Sequence, residues 1–117
     1  MNGTIASPNY PSKYAAELNC SWTLNAPSNS TIKLIFDDFE TESRYDSVQV
    51  FDGKIGDDTL LDTFSGKFET TNLSSITSNS ESMIVRFHTD GSVNHRGFSA
   101  RFMVVNEPKG IIFFNRK

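Results

Sequence analysis

Hydrophobic and polar residues alternate along much of the chain with a period of two, whereas a helix would show a period of 3.6. Four segments show this most clearly, with apolar positions at Ile32, Leu34 and Phe36, at Val48 and Val50, at Met83, Val85 and Phe87, and at Phe98, Ala100, Phe102 and Val104. One apolar face per strand is the signature of antiparallel sheets that bury a single side. The pattern therefore predicts strands.

Turn-forming residues separate these apolar segments. Gly, Pro, Asn and Asp favour tight turns, and they cluster at residues 26–29, 52–54, 65–67 and 90–92. Several short strands at this spacing favour a β-sandwich, and no segment has a convincing amphipathic-helix pattern. We therefore predict an all-β fold, an antiparallel sandwich of two sheets.

The length and the net charge of the chain limit the classes of function that it can have. The 117 residues suffice for one domain with a two-sheet core. A net charge of −3 with mixed signs disfavours a nucleic-acid partner. No apolar run approaches the roughly 18 residues of a membrane span, so we expect no membrane insertion. No signal peptide is visible after Met1, so for a secreted protein we expect the signal to lie upstream or to have been removed.

The opening of the chain is the most distinctive segment. Residues 7–11, SPNYP, contain two prolines, which fix φ and exclude a helix. Cys20 and Trp22 lie two residues apart, so in an extended segment their side chains point to the same face. We expect them to place a sulfur beside a large core aromatic residue. This opening resembles the start of a CUB domain, an extracellular β-sandwich interaction module.

The resemblance covers residues 3–105, in pieces that follow the family's order. After the opening come IFDDFETE at 35–42 and YDSVQVFDG at 45–53, and two later segments, 82–92 and 97–102, are similar to the family's last two strands. The resemblance implies a CUB-like jelly roll over residues 1–106.

Residues 107–117 lie beyond the resemblance. Residues 106–110, NEPKG, are typical of a linker, and the apolar run IIFF follows at 111–114. We expect 107–117 to be a linker or an extra strand along a sheet edge, and we favour the added strand. The beginning of a further module and an exposed, association-prone tail are the alternatives.

The chain has a single cysteine, whereas secreted domains usually have an even number. CUB domains commonly carry two disulfides, and the resemblance implies that Cys20 pairs with a cysteine upstream of residue 1. The second pair is missing jointly, because residues 43–44 (SR) and Ser65 stand in its places. The alternative is that Cys20 is a free, buried, small hydrophobic residue.

Four Asn-x-Ser/Thr sequons are compatible with secretion. They begin at Asn2, Asn19, Asn29 and Asn72. If they are glycosylated, we expect them in solvent-facing loops.

The resemblance also implies a bound Ca²⁺, with Glu42, Asp46 and Asp90 as carboxylate ligands, a main-chain oxygen from Ser92, and Tyr45 fixing the loop. The chemistry supports this, because Ca²⁺ binds six to eight oxygens. Three carboxylates brought together without a cation would repel one another. The absence of a thiolate pair or imidazole pair disfavours zinc.

The loop before Tyr45 is shorter than is usual in the family, since only two residues separate it from Glu42. The alternative to a metal site is therefore that the acids are solvated or form ion pairs with Arg44 or Arg96.

In calcium-binding members of the family, the acidic patch receives a basic side chain from a partner protein. By resemblance, Glu42, Asp46, Tyr45 and residues 90–96 form the binding face here, and the partner is an extracellular protein or a neighbouring module. His95 lies in this face and would make binding pH-dependent, although an exposed histidine is more often inert.

We do not expect an enzyme. His88 and His95 are not spaced like a metal pair or joined to a nucleophile, and Cys20 beside Trp22 fits a core position. Phosphate-binding and dinucleotide-binding motifs are absent from the sequence. Two hypotheses remain: a Ca²⁺-stabilised protein-binding module, and a carbohydrate-binding or purely structural sandwich without metal.

Overall fold

The computed structural model describes residues 2–53, 59–68, 75–91 and 95–105. Within these ranges the chain forms eight strands: β1 (Asn2–Ala6), β2 (Asn19–Asn25), β3 (Thr31–Glu40), β4 (Ser47–Asp52), β5 (Leu60–Phe64), β6 (Ser75–Thr77), β7 (Ser82–His88) and β8 (Gly97–Val105).

The strands form two antiparallel sheets of four strands each. The first has the order β1-β8-β3-β6 and the second β2-β7-β4-β5. Of the eight strands in the described ranges, only β4 and β5 are neighbours both in the chain and in a sheet, so the chain crosses repeatedly from one sheet to the other. The prediction of an all-β, two-sheet antiparallel sandwich is confirmed.

The core lies between the sheets and follows the alternation seen in the sequence. In β7, the side chains of Met83, Val85 and Phe87 are fully buried, whereas those between them are more exposed. A bulge in β3 interrupts the alternation, because the register with β8 shifts between Phe36 and Asp38. The bulge turns both Phe36 and Phe39 inward, where their ring centroids lie 5.3 Å apart.

Cys20 and Trp22 face the core, as predicted. They stand opposite Phe87 and Val85 in the β2–β7 register, and both are partly buried against the core cluster. The indole ring packs edge-on against Phe98 at 5.6 Å. Cys20 is a free thiol in this chain, and burial raises its pKa above the usual value. Its pairing with an upstream cysteine stays a prediction.

The sequons differ in position from what we expected. Asn2 and Asn19 lie in strands rather than loops, but both are exposed. Asn29 is exposed in a turn, with φ of 67°. Asn72 lies outside the described residues. Use of these sites by the glycosylation machinery stays a prediction.

No helix among the described residues is long and apolar enough to cross a bilayer.

The predicted linker or edge strand at 107–117 lies outside the described residues, as does the predicted end of the domain at 106.

Candidate metal centre

Three predicted acidic residues meet at one end of the sandwich. Glu42 follows the end of β3 by two residues, Asp46 immediately precedes β4, and Asp90 follows the end of β7 by two residues. One carboxylate oxygen from each lies within 4.8 Å of the other two. Two Ca²⁺–oxygen bonds of about 2.4 Å allow ligand oxygens to be up to about 4.8 Å apart. The spacing and the all-oxygen donor set fit Ca²⁺.

Asp46 is the centre of this cluster and is fully buried. Its Oδ2 accepts a hydrogen bond from the Tyr14 hydroxyl, and its Oδ1 accepts one from the backbone N–H of Asp90 at 2.8 Å. Among the described residues, no basic side chain forms an ion pair with it. A buried carboxylate is expensive unless its charge is balanced, and each oxygen keeps a lone pair for a cation.

Tyr14 orients two of the three acids, and sequence reasoning missed it. Besides donating to Asp46, its hydroxyl oxygen accepts a hydrogen bond from the backbone N–H of Glu42 at 3.2 Å. The ring is almost completely buried and packs edge-on against Phe87 at 5.1 Å. Burial, followed by the bond to Asp46, raises the pKa of Tyr14 well above its usual value. The only sequence signal was an aromatic residue in a polar stretch without strand periodicity.

Tyr45 is 60% exposed, whereas the buried Tyr14 bonds to Asp46 and to the N–H of Glu42. The predicted role of Tyr45 in fixing the loop stays a prediction. The exposed Tyr45 precedes Asp46 in the chain. Its predicted contact with a partner also stays a prediction.

A tight turn brings Glu42 and Asp46 together. The backbone oxygen of Glu42 accepts hydrogen bonds from the N–H groups of Tyr45 and Asp46, at 3.2 and 3.0 Å. Arg44 adopts a positive φ of 78° within this turn. Only two residues are therefore needed between Glu42 and Tyr45, which accounts for the shortened loop.

Hydrogen bonds join the two segments that, by the resemblance, would carry a second disulfide. The buried side chain of Thr41 donates to the backbone oxygen of Asp46 at 3.2 Å and accepts from the N–H of Gly66 at 3.0 Å. The N–H of Arg44 donates to Ser65 Oγ at 3.4 Å. The position of Glu42 and Asp46 thus depends on polar contacts in place of a covalent bridge.

The segment before β2 supports Asp90. The N–H of Glu17 donates to the backbone oxygen of Asp90 at 2.8 Å. Next to Asp90, the buried hydroxyl of Thr89 accepts from the N–H of Leu18 at 2.7 Å and donates to the oxygen of Ala15 at 3.1 Å. This network fixes the backbone on which Asp90 stands.

The ion pairs weighed as an alternative to a metal are not present among the described residues. Arg96 pairs with Asp38 and Glu40 on β3, at 2.6 and 2.7 Å, and not with the acidic cluster. In the same ranges, Arg44 forms no ion pair with Glu42 or Asp46. Among the described contacts, neither arginine therefore pairs with the acidic cluster.

Two further predicted residues remain. The Nδ1 atom of His95 lies 3.8 Å from Oε2 of Glu40, and its backbone oxygen accepts from the N–H of Tyr14 at 3.0 Å. Its role in partner binding stays a prediction. Ser92, the predicted carbonyl ligand, lies outside the described residues.

Comparison with known proteins agrees with this architecture. The family model of the CUB domain matches residues 1–102. A bone morphogenetic protein 1 homolog of Strongylocentrotus purpuratus is 40% identical over 105 residues, 86% of this chain and 16% of that protein. Cubilin of Canis lupus familiaris is 40% identical over 101 residues, 86% of this chain and 3% of that protein. Human tolloid-like protein 2 is 42% identical over 106 residues, 87% of this chain and 10% of that protein. The chain thus spans a small part of these relatives.

Solved structures give the same result. The CUB1-EGF-CUB2 domain of human MASP-1/3 superposes with a TM-score of 0.79 and 34% identity, covering 90% of this chain and 42% of that one. The MASP-1 CUB2 domain bound to Ca²⁺ has a TM-score of 0.73 and 27% identity, covering 86% of this chain and 90% of that one. CUB domains are in general non-enzymatic protein-interaction modules of extracellular proteins. With its family match, its relatives and its two-sheet sandwich, this chain belongs to the CUB domain family.

Proposed function

We propose that this CUB domain is an extracellular, Ca²⁺-stabilised protein-interaction module whose acidic end binds a basic side chain of a partner. The observation that carries the proposal is the convergence of Glu42, Asp46 and Asp90, whose carboxylate oxygens lie within 4.8 Å of one another around the buried Asp46.

The donor chemistry supports Ca²⁺. All three side chains offer hard oxygen ligands, and a divalent cation would balance charges that otherwise repel. The similar MASP-1 CUB2 domain was solved bound to Ca²⁺. Main-chain oxygens, with Ser92 as the predicted source, and water would complete a shell of six to eight ligands.

The exposed part of the same end suits a basic partner. Glu42 is partly exposed, and the exposed Tyr45 follows it by three residues in the chain. A lysine or arginine that reaches the Glu42 carboxylate oxygens would form charge-assisted hydrogen bonds, which are shorter and stronger than neutral ones. Asp46 contributes negative potential from below the surface, while the ion holds the loops in place.

A thermal unfolding experiment tests the proposal. Wild-type protein is melted in excess EDTA, in millimolar Ca²⁺ and in millimolar Mg²⁺, beside the variants Glu42→Gln and Asp90→Asn. A ligand at 100 times its Kd stabilises the folded state by about 2.7 kcal/mol, so we expect Ca²⁺ to raise the Tm of the wild type by several degrees. The two variants should lose most of this shift.

Asp62→Asn is the matched control, because Asp62 is an exposed acid on β5 outside the cluster. It should keep the full shift. No Ca²⁺-dependent shift in the wild type would overturn the metal-binding part of the proposal and would favour a structural or carbohydrate-binding sandwich.

A further inference from the structure

We propose that Arg96 is a positioning residue for the acidic cluster, and that its clamp on Asp38 and Glu40 sets the affinity for Ca²⁺. This inference rests on the proposed function. Arg96 touches none of the three candidate ligands in the described contacts; it acts through the elements that hold them.

The clamp is a contact of three short hydrogen bonds. The guanidinium Nε and Nη2 atoms of Arg96 each donate to one oxygen of Asp38, both at 2.6 Å, and Nη1 donates to Glu40 Oε1 at 2.7 Å. Tyr10 adds a hydrogen bond from its hydroxyl to Asp38 Oδ2. The side chains of Arg96, Asp38 and Glu40 are all at most one-third exposed. Bidentate, partly buried arginine–carboxylate pairs are the more rigid ion pairs in proteins.

One route from the clamp to the cluster runs along β3. Glu40 is the last residue of that strand, and Glu42 follows two residues later. Between them, Thr41 is fixed through its hydrogen bonds to Asp46 and Gly66. Holding Glu40 in place therefore limits how far the Glu42 carboxylate can move from Asp46.

The second route runs through Tyr14. His95 precedes Arg96, and its backbone oxygen accepts the hydrogen bond of the Tyr14 N–H at 3.0 Å. On the other side of Arg96, Gly97 lies so close to Ser7 that a Cβ there would be 1.9 Å from Ser7 Oγ. The backbone on both sides of Arg96 is thus held in place, at His95 by Tyr14 and at Gly97 by Ser7. Tyr14 in turn bonds Asp46 and the N–H of Glu42.

Positioning and simple electrostatics predict opposite effects. Removing a positive charge near a dication site strengthens cation binding if the arginine acts only through its charge. If Arg96 holds the ligands in place, its removal weakens binding, because the cluster must then be ordered when the ion binds. Loss of residues that orient metal ligands typically weakens metal affinity 10–100-fold.

The experiment measures the Kd of Ca²⁺ by isothermal titration calorimetry, with folding of each protein verified in EDTA beforehand. We expect Arg96→Gln to weaken binding about 10-fold. Arg96→Lys should recover part of the affinity, since lysine keeps the charge but loses the bidentate fork. The double variant Asp38→Asn, Arg96→Gln should bind Ca²⁺ no more weakly than the weaker-binding of the two single variants, because both substitutions break the same contact.

Arg101→Gln is the matched control. Arg101 pairs with Asp37, the residue before Asp38, at 2.9 Å in a more exposed position, and its removal changes the net charge identically. Its Kd should equal that of the wild type or be slightly lower. If Arg96→Gln does not fold, Arg96→Lys replaces it, because this variant keeps the charge, loses the bidentate fork on Asp38 and should weaken binding several-fold.

The outcomes separate the two proposals. Ca²⁺ binding by the wild type with an unchanged or lower Kd in the Arg96 variants overturns the positioning role and leaves the proposed function intact. Equal weakening by Arg96→Gln and Arg101→Gln also overturns it, since the effect would then not depend on the clamp. Absence of Ca²⁺ binding by the wild type overturns the proposed function and this inference together.

Discussion

The hydroxyl group of Tyr14 donates a hydrogen bond to the buried carboxylate of Asp46, 32 residues further along the chain. The same hydroxyl oxygen accepts from the N–H of Glu42. One side chain from a loop therefore sets the separation of two candidate ligands that belong to a different loop. The geometry of the candidate metal centre therefore depends on the buried Tyr14 as much as on the three acids.

Tyr14→Phe tests this organisation. The variant keeps the ring but removes the donor to Asp46 and the acceptor for the Glu42 N–H, so a fully buried carboxylate loses one of its two side-chain hydrogen bonds. Leaving buried polar groups unsatisfied costs about 1–3 kcal/mol, and we expect a loss of that size in the free energy of unfolding in EDTA, measured by urea denaturation.

Tyr45→Phe is its control. It removes the same atom from an exposed ring and should change the free energy of unfolding by less than about 0.5 kcal/mol. Equal effects of the two substitutions would contradict the assigned role of Tyr14.

Acid should destabilise the domain partly through Asp38. Hydrogen bonds from Arg96 hold the pKa of Asp38 below its usual value, in spite of partial burial. A carboxylate with a lowered pKa in the folded state contributes stability that is fully present above its unfolded-state pKa of about 3.9. This contribution is lost as the pH falls from about 4 through the lowered pKa.

Urea unfolding in EDTA between pH 6 and pH 2 measures this dependence. The decline of stability below about pH 4 should be shallower in Asp38→Asn than in the wild type, because the variant has no proton to take up at this site. Parallel curves for the two proteins would show that Asp38 does not contribute.

Gly97 should tolerate no side chain. Its φ is 86°, and a Cβ would lie 1.9 Å from Ser7 Oγ and 2.8 Å from Ser7 Cβ. Left-handed backbone strain and overpacking each cost about 1–3 kcal/mol, so Gly97→Ala should lower the free energy of unfolding by about 2–5 kcal/mol or prevent folding. Gly91→Ala is the control, since its Cβ would approach only the flexible end of Glu17 at 3.3 Å. Thermal unfolding in EDTA should show a large loss of stability for Gly97→Ala but not for Gly91→Ala. A small loss for Gly97→Ala would refute the close approach of Gly97 to Ser7.

The sandwich could be predicted because the alternation of residues such as Met83, Val85 and Phe87 is imposed locally by the strand period. The bulge that turns both Phe36 and Phe39 inward could not, since it depends on the register between β3 and β8. The same holds for Asn2 and Asn19, because their exposure within β1 and β2 is known only once the strands are packed.

The candidate site was predictable only in its acids. Glu42, Asp46 and Asp90 follow motifs that the sequence shows directly, and the structure brings their carboxylates together. Tyr14 and Arg96 act through side-chain contacts 28 to 58 residues distant in sequence. Such contacts leave no local pattern in the sequence, so the buried Tyr14 and the ion pairs of Arg96 can be identified only in the folded structure.

A crystal structure of the domain grown in millimolar Ca²⁺ would show directly whether the three acids bind the ion. We expect an ion between Glu42, Asp46 and Asp90, with each carboxylate about 2.3–2.6 Å from it and the Tyr14–Asp46 hydrogen bond retained. Carboxylates that stand apart with only water between them, in crystals containing Ca²⁺, would contradict this expectation.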